Sequence, residues 1–159
     1  MTVETVKLDR LDKKLLDALQ DDASQSLNEL SEAVGLSANA CWKRIKRLEE
    51  AGVIERRVAL LDRHRLGLGV TALVAVRTAQ HDEGWLEEFA EGVRRIPEVV
   101  EFYRMSGQVD YMLKIICADI GDYDRIYRKL IKAAQLSDVS ASFAMEQIKY
   151  TTKVPLDSI

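Results

Sequence analysis

The stretch GLSANACWKRIKRLEEAGVI, residues 35–54, places Lys43, Arg44, Lys46 and Arg47 within five consecutive positions of a helical pattern. At about 100° per residue, Cys41, Ile45 and Leu48 share one narrow arc, and the spacing predicts that this arc is buried. Asn39, Lys43, Lys46 and Arg47 occupy the opposite arc, with Trp42 and Arg44 on the flanks. Gly35 can adopt the left-handed conformation that ends a preceding helix, and Ser37 can cap the next one.

Upstream, Leu8, Leu11, Leu15 and Leu19 recur at spacings of three and four behind Asp9, which is placed to cap a first helix. Ser26 followed by Glu29 is a capping box, and Leu27, Leu30 and Val34 form the stripe of a short second helix. Two capped helices joined by a tight turn at Gly35 have helix-turn-helix spacing. Lys and Arg fill the outer face of many ordinary helices, so the charge run alone decides nothing. The two caps tip the balance toward a helix that lies in the major groove of double-stranded DNA. The expected DNA-contacting set is Ser37, Asn39, Lys43, Arg44, Lys46 and Arg47, in which Arg44 reaches a phosphate. After Gly52, VIERRVALLD reads as an extended pair with Arg56 and Arg57 near its turn, a wing suited to backbone phosphate.

The rest of the composition bounds the answer. With 47% hydrophobic and 31% charged residues among 159, the chain reads as a folded soluble protein of one ordinary domain or two small ones. It has no apolar run of membrane-spanning length and no signal-peptide pattern at its start, which predicts a cytoplasmic protein without a membrane partner. A formal charge of −3 argues against indiscriminate coating of nucleic acid and leaves room for a local basic face. Cys41 and Cys117 lie far apart in apolar segments and read as buried thiols. The histidines, His64 and His81, lie beside Asp62 and Asp82 in linker-like segments without metal spacing. No nucleophile elbow, phosphate loop or dinucleotide turn is present, so no enzyme activity, cofactor or metal is expected.

Beyond about Leu66 the texture changes. LGLGVTALVAVRT reads as a strand, DEGWLEEFAEGVRRI as a helix striped by Trp85, Phe89 and Val93, and PEVVEFYRMSG as a strand started by Pro97. QVDYMLKIICAD is a third strand, IGDYDRIYRKLIKAA a helix with Tyr123, Ile126, Tyr127, Leu130 and Ile131 inward, and DVSASFAMEQIKY a last strand. The order β-α-β-β-α-β is the ferredoxin-like unit, and Gly107-Gln108 suits a tight hairpin with positive φ at its first central residue. The fold expected is therefore α+β: a winged helix-turn-helix over 1–61 followed by a ferredoxin-like domain over 62–159. Val109, Tyr111, Leu113, Ile115 and Cys117 face one way and Met112 and Ile116 the other. Two helices cover only one face of such a sheet, so the second face is expected to pair with another subunit in a two-fold dimer.

These residues resemble the Lrp/AsnC (feast/famine) family over nearly the whole chain, from LDRLDKKLLDALQ through GLSANACWKRIKRLEEAGVI to MSGQVDYMLKI. CWKRIKRLE, VALLDRHRLGLGVTALV and SFAMEQIKYTTKVPL are similar to its branch whose members respond to L-cysteine and control its detoxification. The resemblance implies a DNA-binding transcriptional regulator that assembles from dimers into tetramers or octamers, with amino-acid effectors between effector domains. It further implies an effector site at Met105, Ser106, Gly107, Gln108 and Asp110, matching the family's Gly-x-x-Asp loop. There Asp110 receives the ligand ammonium and loop amides its carboxylate, while Ser140 and Ser142 reach the cleft from the same or a neighbouring subunit. The first loop, DDASQS, departs from the basic residue of many members and puts one backbone contact in doubt. Two other classes remain: an architectural, nucleoid-associated DNA-binding protein without ligand, and a freestanding amino-acid-binding assembly protein. A ligand-induced change in DNA affinity excludes the first, and a band shift the second.

Overall fold

A computed structural model of the chain describes residues 5–79, 83–133 and 136–159. The chain divides into two compact units: the described residues up to Leu60 together with Lys149–Ile159, and Leu61–Ile148. The last eleven residues thus fold with the first unit, whereas strand periodicity alone runs them on from the second.

The first unit holds α1 (Arg10–Asp21), α2 (Leu27–Val34) and α3 (Ala38–Glu50). Each start is capped as its sequence predicts. The Asp9 side chain accepts the Asp12 amide at 2.8 Å, the Ser26 hydroxyl accepts from Glu29, and the Ser37 hydroxyl accepts from Ala40. Gly35 has φ 77°, a left-handed value that favours glycine, and its amide donates to Ser31 O at 2.9 Å to close α2. The stripes converge on a core of Leu15, Leu30, Val34, Cys41 and Ile45. A second cluster joins Leu16 and Leu48 to Leu156, which the chain terminus brings back to α1 and α3. Gln20 fastens the same segment by donating to Val154 O and accepting its amide, and Lys153 pairs with Asp21. Fully burying such a leucine is worth roughly 1.5–3 kcal/mol, so this terminus is a structural part of the unit.

No strand forms in the segment that follows α3: Glu55 to Leu61 is exposed and without regular secondary structure, and the expected hairpin pair of the wing is not made among the described residues. The reason is local. Ala51 to Ile54 turn back on α3, where the Val53 and Ile54 amides donate to Leu48 O, so the chain leaves the helix through a turn instead of leading into a hairpin.

The second unit is a four-stranded antiparallel sheet in the order β2-β3-β1-β4, built from β1 (Val70–Arg77), β2 (Val99–Arg104), β3 (Tyr111–Cys117) and β4 (Asp138–Phe143). Helices α4 (Glu83–Arg94) and α5 (Ile120–Ala133) cover one face, completing the ferredoxin-like order. On that face Ala72, Val74, Val76, Tyr111, Leu113, Ile115 and Cys117 meet Trp85, Phe89, Val93, Ile126 and Leu130. The alternation read from β3 is therefore correct, but Ile131 is 45% exposed and not inward. It follows Leu130 directly, and successive positions on a helix diverge by about 100°. Helices α4 and α5 approach closely at Gly92, where a Cβ would stand 2.6 Å from Ala133 Cβ. Pro97 precedes β2 without opening it, because a turn from Ile96 O to the Val99 amide intervenes. His81 lies outside the described residues. No helix among the described residues is long and apolar enough to cross a membrane.

Candidate nucleic-acid interface and ligand-binding hairpin

Helix α3 buries Cys41, Ile45 and Leu48 and turns Asn39, Lys43, Lys46 and Arg47 outward. These outward side chains differ in what holds them. Asn39 and Lys43 are exposed and have no hydrogen bond or ion pair among the described residues. Lys46 stands 5.3 Å from the Trp42 ring and 3.8 Å from Glu50. Ser37 caps α3 by accepting the Ala40 amide, and the remaining first-turn amides of a helix start are a site that attracts phosphate.

The two arginines are held differently. Arg44 Nη1 lies 2.7 Å from Asp9 Oδ2 and 2.7 Å from Asp12 Oδ1, and Arg47 Nη2 lies 2.6 Å from Asp12 Oδ2. Asp12 is only 1% exposed at its side chain and also accepts the Asp9 amide at 3.0 Å, so both its oxygens are engaged. Burial pushes the Asp12 carboxyl up, but the Asp9 amide and the Arg47 and Arg44 guanidinium groups outweigh it and hold it below the usual range. The Asp12 amide and then Arg44 lower Asp9 as well. Arg44 is thus neutralised and 26% exposed at its side chain, which leaves little of it for the phosphate contact expected from periodicity. Sequence reading missed Asp12, although its position three residues after the Asp9 cap is a capping-box signal. Arg57 pairs with Glu49 at 3.1 Å and Arg56 with Glu55 at 3.8 Å, both on the exposed segment after α3.

In the second unit the hairpin between β2 and β3 closes through the Met105 amide, which donates to Asp110 O at 2.8 Å. The loop is therefore four residues, Ser106 to Val109, and not a two-residue turn; Gly107 does carry positive φ, 126°. Met105, Ser106, Gly107 and Gln108 are exposed. Asp110 is half-buried: its amide donates to Val76 O at 3.0 Å, and its Oδ2 accepts the Thr78 amide at 2.9 Å. Oδ2 is thus committed to the fold, and Oδ1 has no partner among the described residues.

Ser140 and Ser142 are exposed on β4, paired with Ala75 and Leu73 on the sheet face opposite α4 and α5. Strand β1 separates them from β3, so within one chain they stand roughly 10 Å, two strand spacings, from the hairpin side of the sheet. They do not converge with the hairpin unless a second copy completes the cleft. The same face carries Leu73, Tyr103, Met112 and Ile116, with Lys114 bonded to Glu101 at 2.7 Å in its midst. Cys41 and Cys117 are buried free thiols, both pushed up by burial. His64 is exposed in a turn whose amide donates to Asp62 at 3.0 Å.

Comparison with known proteins places both halves. Residues 8–55 match a winged helix-turn-helix DNA-binding model and residues 71–154 the Lrp/AsnC ligand binding domain. The chain is 53% identical to the glutamate uptake regulatory protein of Zymomonas mobilis subsp. mobilis, over 94% of this chain and 92% of that one. The crystal structure of an AsnC family transcriptional regulator from Agrobacterium tumefaciens superposes with a TM-score of 0.93 at 52% identity, covering 96% of this chain and 99% of that one. A transcriptional regulator of Neisseria meningitidis, solved as its L-Met complex, superposes with a TM-score of 0.90 at 33% identity, covering 96% and 99%. With a winged helix-turn-helix match followed by a ligand binding domain match, and relatives 53% and 52% identical over nearly the whole chain, the chain belongs to the Lrp/AsnC family of transcriptional regulators.

Proposed function

We propose that this regulator reads double-stranded DNA with the exposed face of α3 and adjusts that reading when a small amino acid binds at the Met105 to Asp110 hairpin. The observation that carries the first half is the pair Asn39 and Lys43, exposed and without a partner among the described residues, on a helix entered through the Gly35 turn. Lys46 adds charge beside them, the first-turn amides after Ser37 meet phosphate, and Arg56 and Arg57 touch the backbone on the flank. Residues up to about 61 form the DNA-binding domain, and the ferredoxin-like sheet carries ligand and assembly.

The second half is supported by Asp110 Oδ1, which has no partner among the described residues, by the exposed loop residues around Gly107, and by the L-Met complex of the Neisseria relative. The open sheet face supports a homodimer, which then builds tetramers or octamers in which Ser140 and Ser142 of one copy approach the hairpin of another. Among effectors, the resemblance of the α3 and C-terminal segments favours L-cysteine. Selection of duplexes from a random pool by the wild-type chain, followed by band shifts with each free amino acid under reducing conditions, tests both halves. Failure to enrich any sequence defeats the DNA reading; enrichment with no amino-acid response leaves an architectural protein.

A further inference from the structure

The ion-pair network across α1 and α3 joins two residues of a capping box to two residues of the DNA-facing helix, and it is not symmetric. Arg44 has two acidic partners, Asp9 and Asp12, whereas the acidic partner of Arg47 among the described residues is Asp12. Asp12 reaches it from a position 1% exposed, while the Arg47 side chain is 53% exposed on the outer arc of α3. A buried carboxylate is thus anchored beneath the basic face with both oxygens occupied, one of them 2.6 Å from an exposed guanidinium group.

A cation on such a face attracts any phosphate, and this attraction carries no sequence information. We propose that Asp12 is a specificity-determining residue of the DNA interface. Its carboxylate neutralises Arg47 and holds it toward α1, so that the helix does not gain indiscriminate affinity from that charge and discrimination falls to Asn39 and Lys43. Asp12 positions the reading helix and touches no DNA. This rests on the reading of α3 as the DNA-facing element, and the test separates the two.

The test uses the full chain, a duplex selected by the wild-type protein, and a mixed-sequence duplex of equal length, each titrated across a salt series. Asp12→Asn keeps one carbonyl acceptor, replaces the other oxygen by an NH2 that cannot accept from a guanidinium group, and removes one negative charge. Each phosphate neutralised steepens the log–log salt slope by about 0.9, which at physiological salt corresponds to about fivefold in affinity. The expected result is a slope on mixed DNA steeper by up to about 0.9, tighter mixed-sequence binding, and a several-fold lower ratio of selected to mixed affinity. A merely structural role lowers affinity for both duplexes and does not steepen the slope. Asp12→Asn/Arg47→Gln should return the slope toward wild type, since the freed charge is gone. If Asp12→Asn does not fold, Lys43→Gln and Arg47→Gln are compared: Lys43→Gln should flatten the mixed-DNA slope by about 0.9 and Arg47→Gln by much less. Equal flattening overturns the proposal. So does an unchanged slope and ratio in a folded Asp12→Asn whose Lys43→Gln control behaves as expected. A Lys43→Gln variant with wild-type slope shows instead that α3 does not face DNA, and the proposal falls with that reading.

Discussion

Asp110 accepts the Thr78 amide through Oδ2 at 2.9 Å, so the carboxylate we propose for a ligand ammonium also ties the end of β1 to the start of β3. Removing it wholesale confuses two roles. Asp110→Ala takes this acceptor from the Thr78 amide and should cost about 1–2 kcal/mol of stability, the usual penalty for a disrupted partly buried hydrogen bond. Asp110→Asn retains a carbonyl for that amide and loses only the charge. The expected outcome is loss of the amino-acid response in Asp110→Asn with a urea midpoint close to wild type. A normal response in this variant places the effector elsewhere.

The chain terminus gives a second expectation. Leu156, 7% exposed, closes the cluster of Leu16 and Leu48, and Leu48 belongs to α3. Leu156→Ala should destabilise the first unit by about 2–3 kcal/mol, the lower part of the range for leucine truncation because the site borders solvent. Denaturant unfolding of the full chain, followed at Trp42 on α3, measures it. A shift below about 0.5 kcal/mol would show that the terminus is not held there.

How much was legible in the sequence follows from the range of each signal. Asp9, Ser26 with Glu29, Gly35 and Ser37 act on amides within a few residues of themselves, and all four are found as read. The buried arc of Cys41, Ile45 and Leu48 likewise follows from helical period alone. What escaped is non-local. Asp12 meets Arg44 and Arg47 across 32 and 35 positions, and Leu156 meets Leu16 across a still longer span, distances over which no periodic pattern carries information. The bulge between Val99 and Glu101 also breaks the alternation of β2, and the Asp110 tie to Val76 lengthens the hairpin beyond the turn that Gly107-Gln108 suggests.

Acid stability should report the network directly. Asp9 and Asp12 are both held below 3.8 in the folded chain, Asp9 by the Asp12 amide and Arg44, Asp12 by the Asp9 amide, Arg47 and Arg44 against the opposing cost of burial. A depressed folded-state pKa contributes stability that is complete above the unfolded value and is lost as pH falls through the folded one. Wild type should therefore lose stability as pH drops below 3.8, and Asp12→Asn should show a shallower loss over the same window. Thermal unfolding of both proteins from pH 6 downward provides the comparison; parallel curves contradict the assignment.

The thiols allow a simple check on packing. Cys41 and Cys117 are each 0% exposed, and burial raises both above 9.0, so neither offers thiolate to an attacking reagent at neutral pH. Both should react with a disulfide reagent only as the chain unfolds, at a rate that follows denaturant concentration. Fast reaction of either in buffer contradicts its burial, and would make oxidation a competing explanation for any effect of cysteine as a ligand.

Assembly through the open sheet face is the last expectation, and the residues on that face set its terms. Leu73 is 44% exposed and Tyr103 52%, while Met112 and Ile116 are half-buried beside them, an apolar surface on the side of the sheet opposite α4 and α5. It is not dry throughout, because Lys114 bonds to Glu101 at 2.7 Å and Tyr103 donates to the same carboxylate at 2.9 Å. This triad satisfies its own charges, so a second copy can cover it without stranding an ion. Ile116 is different: Asp at this position brings a carboxylate with no cation opposite it on β1, where its partner is Thr71. Ile116→Asp should therefore shift the full chain toward monomer in sedimentation at micromolar concentration. Ile120, 58% exposed at the start of α5 and away from the sheet face, is the control, since an acid in the first turn of a helix is tolerated. Dissociation by Ile116→Asp but not by Ile120→Asp identifies the face. If the two variants sediment alike, the dimer is built elsewhere, and Ser140 and Ser142 lose the neighbour through which they reach an effector.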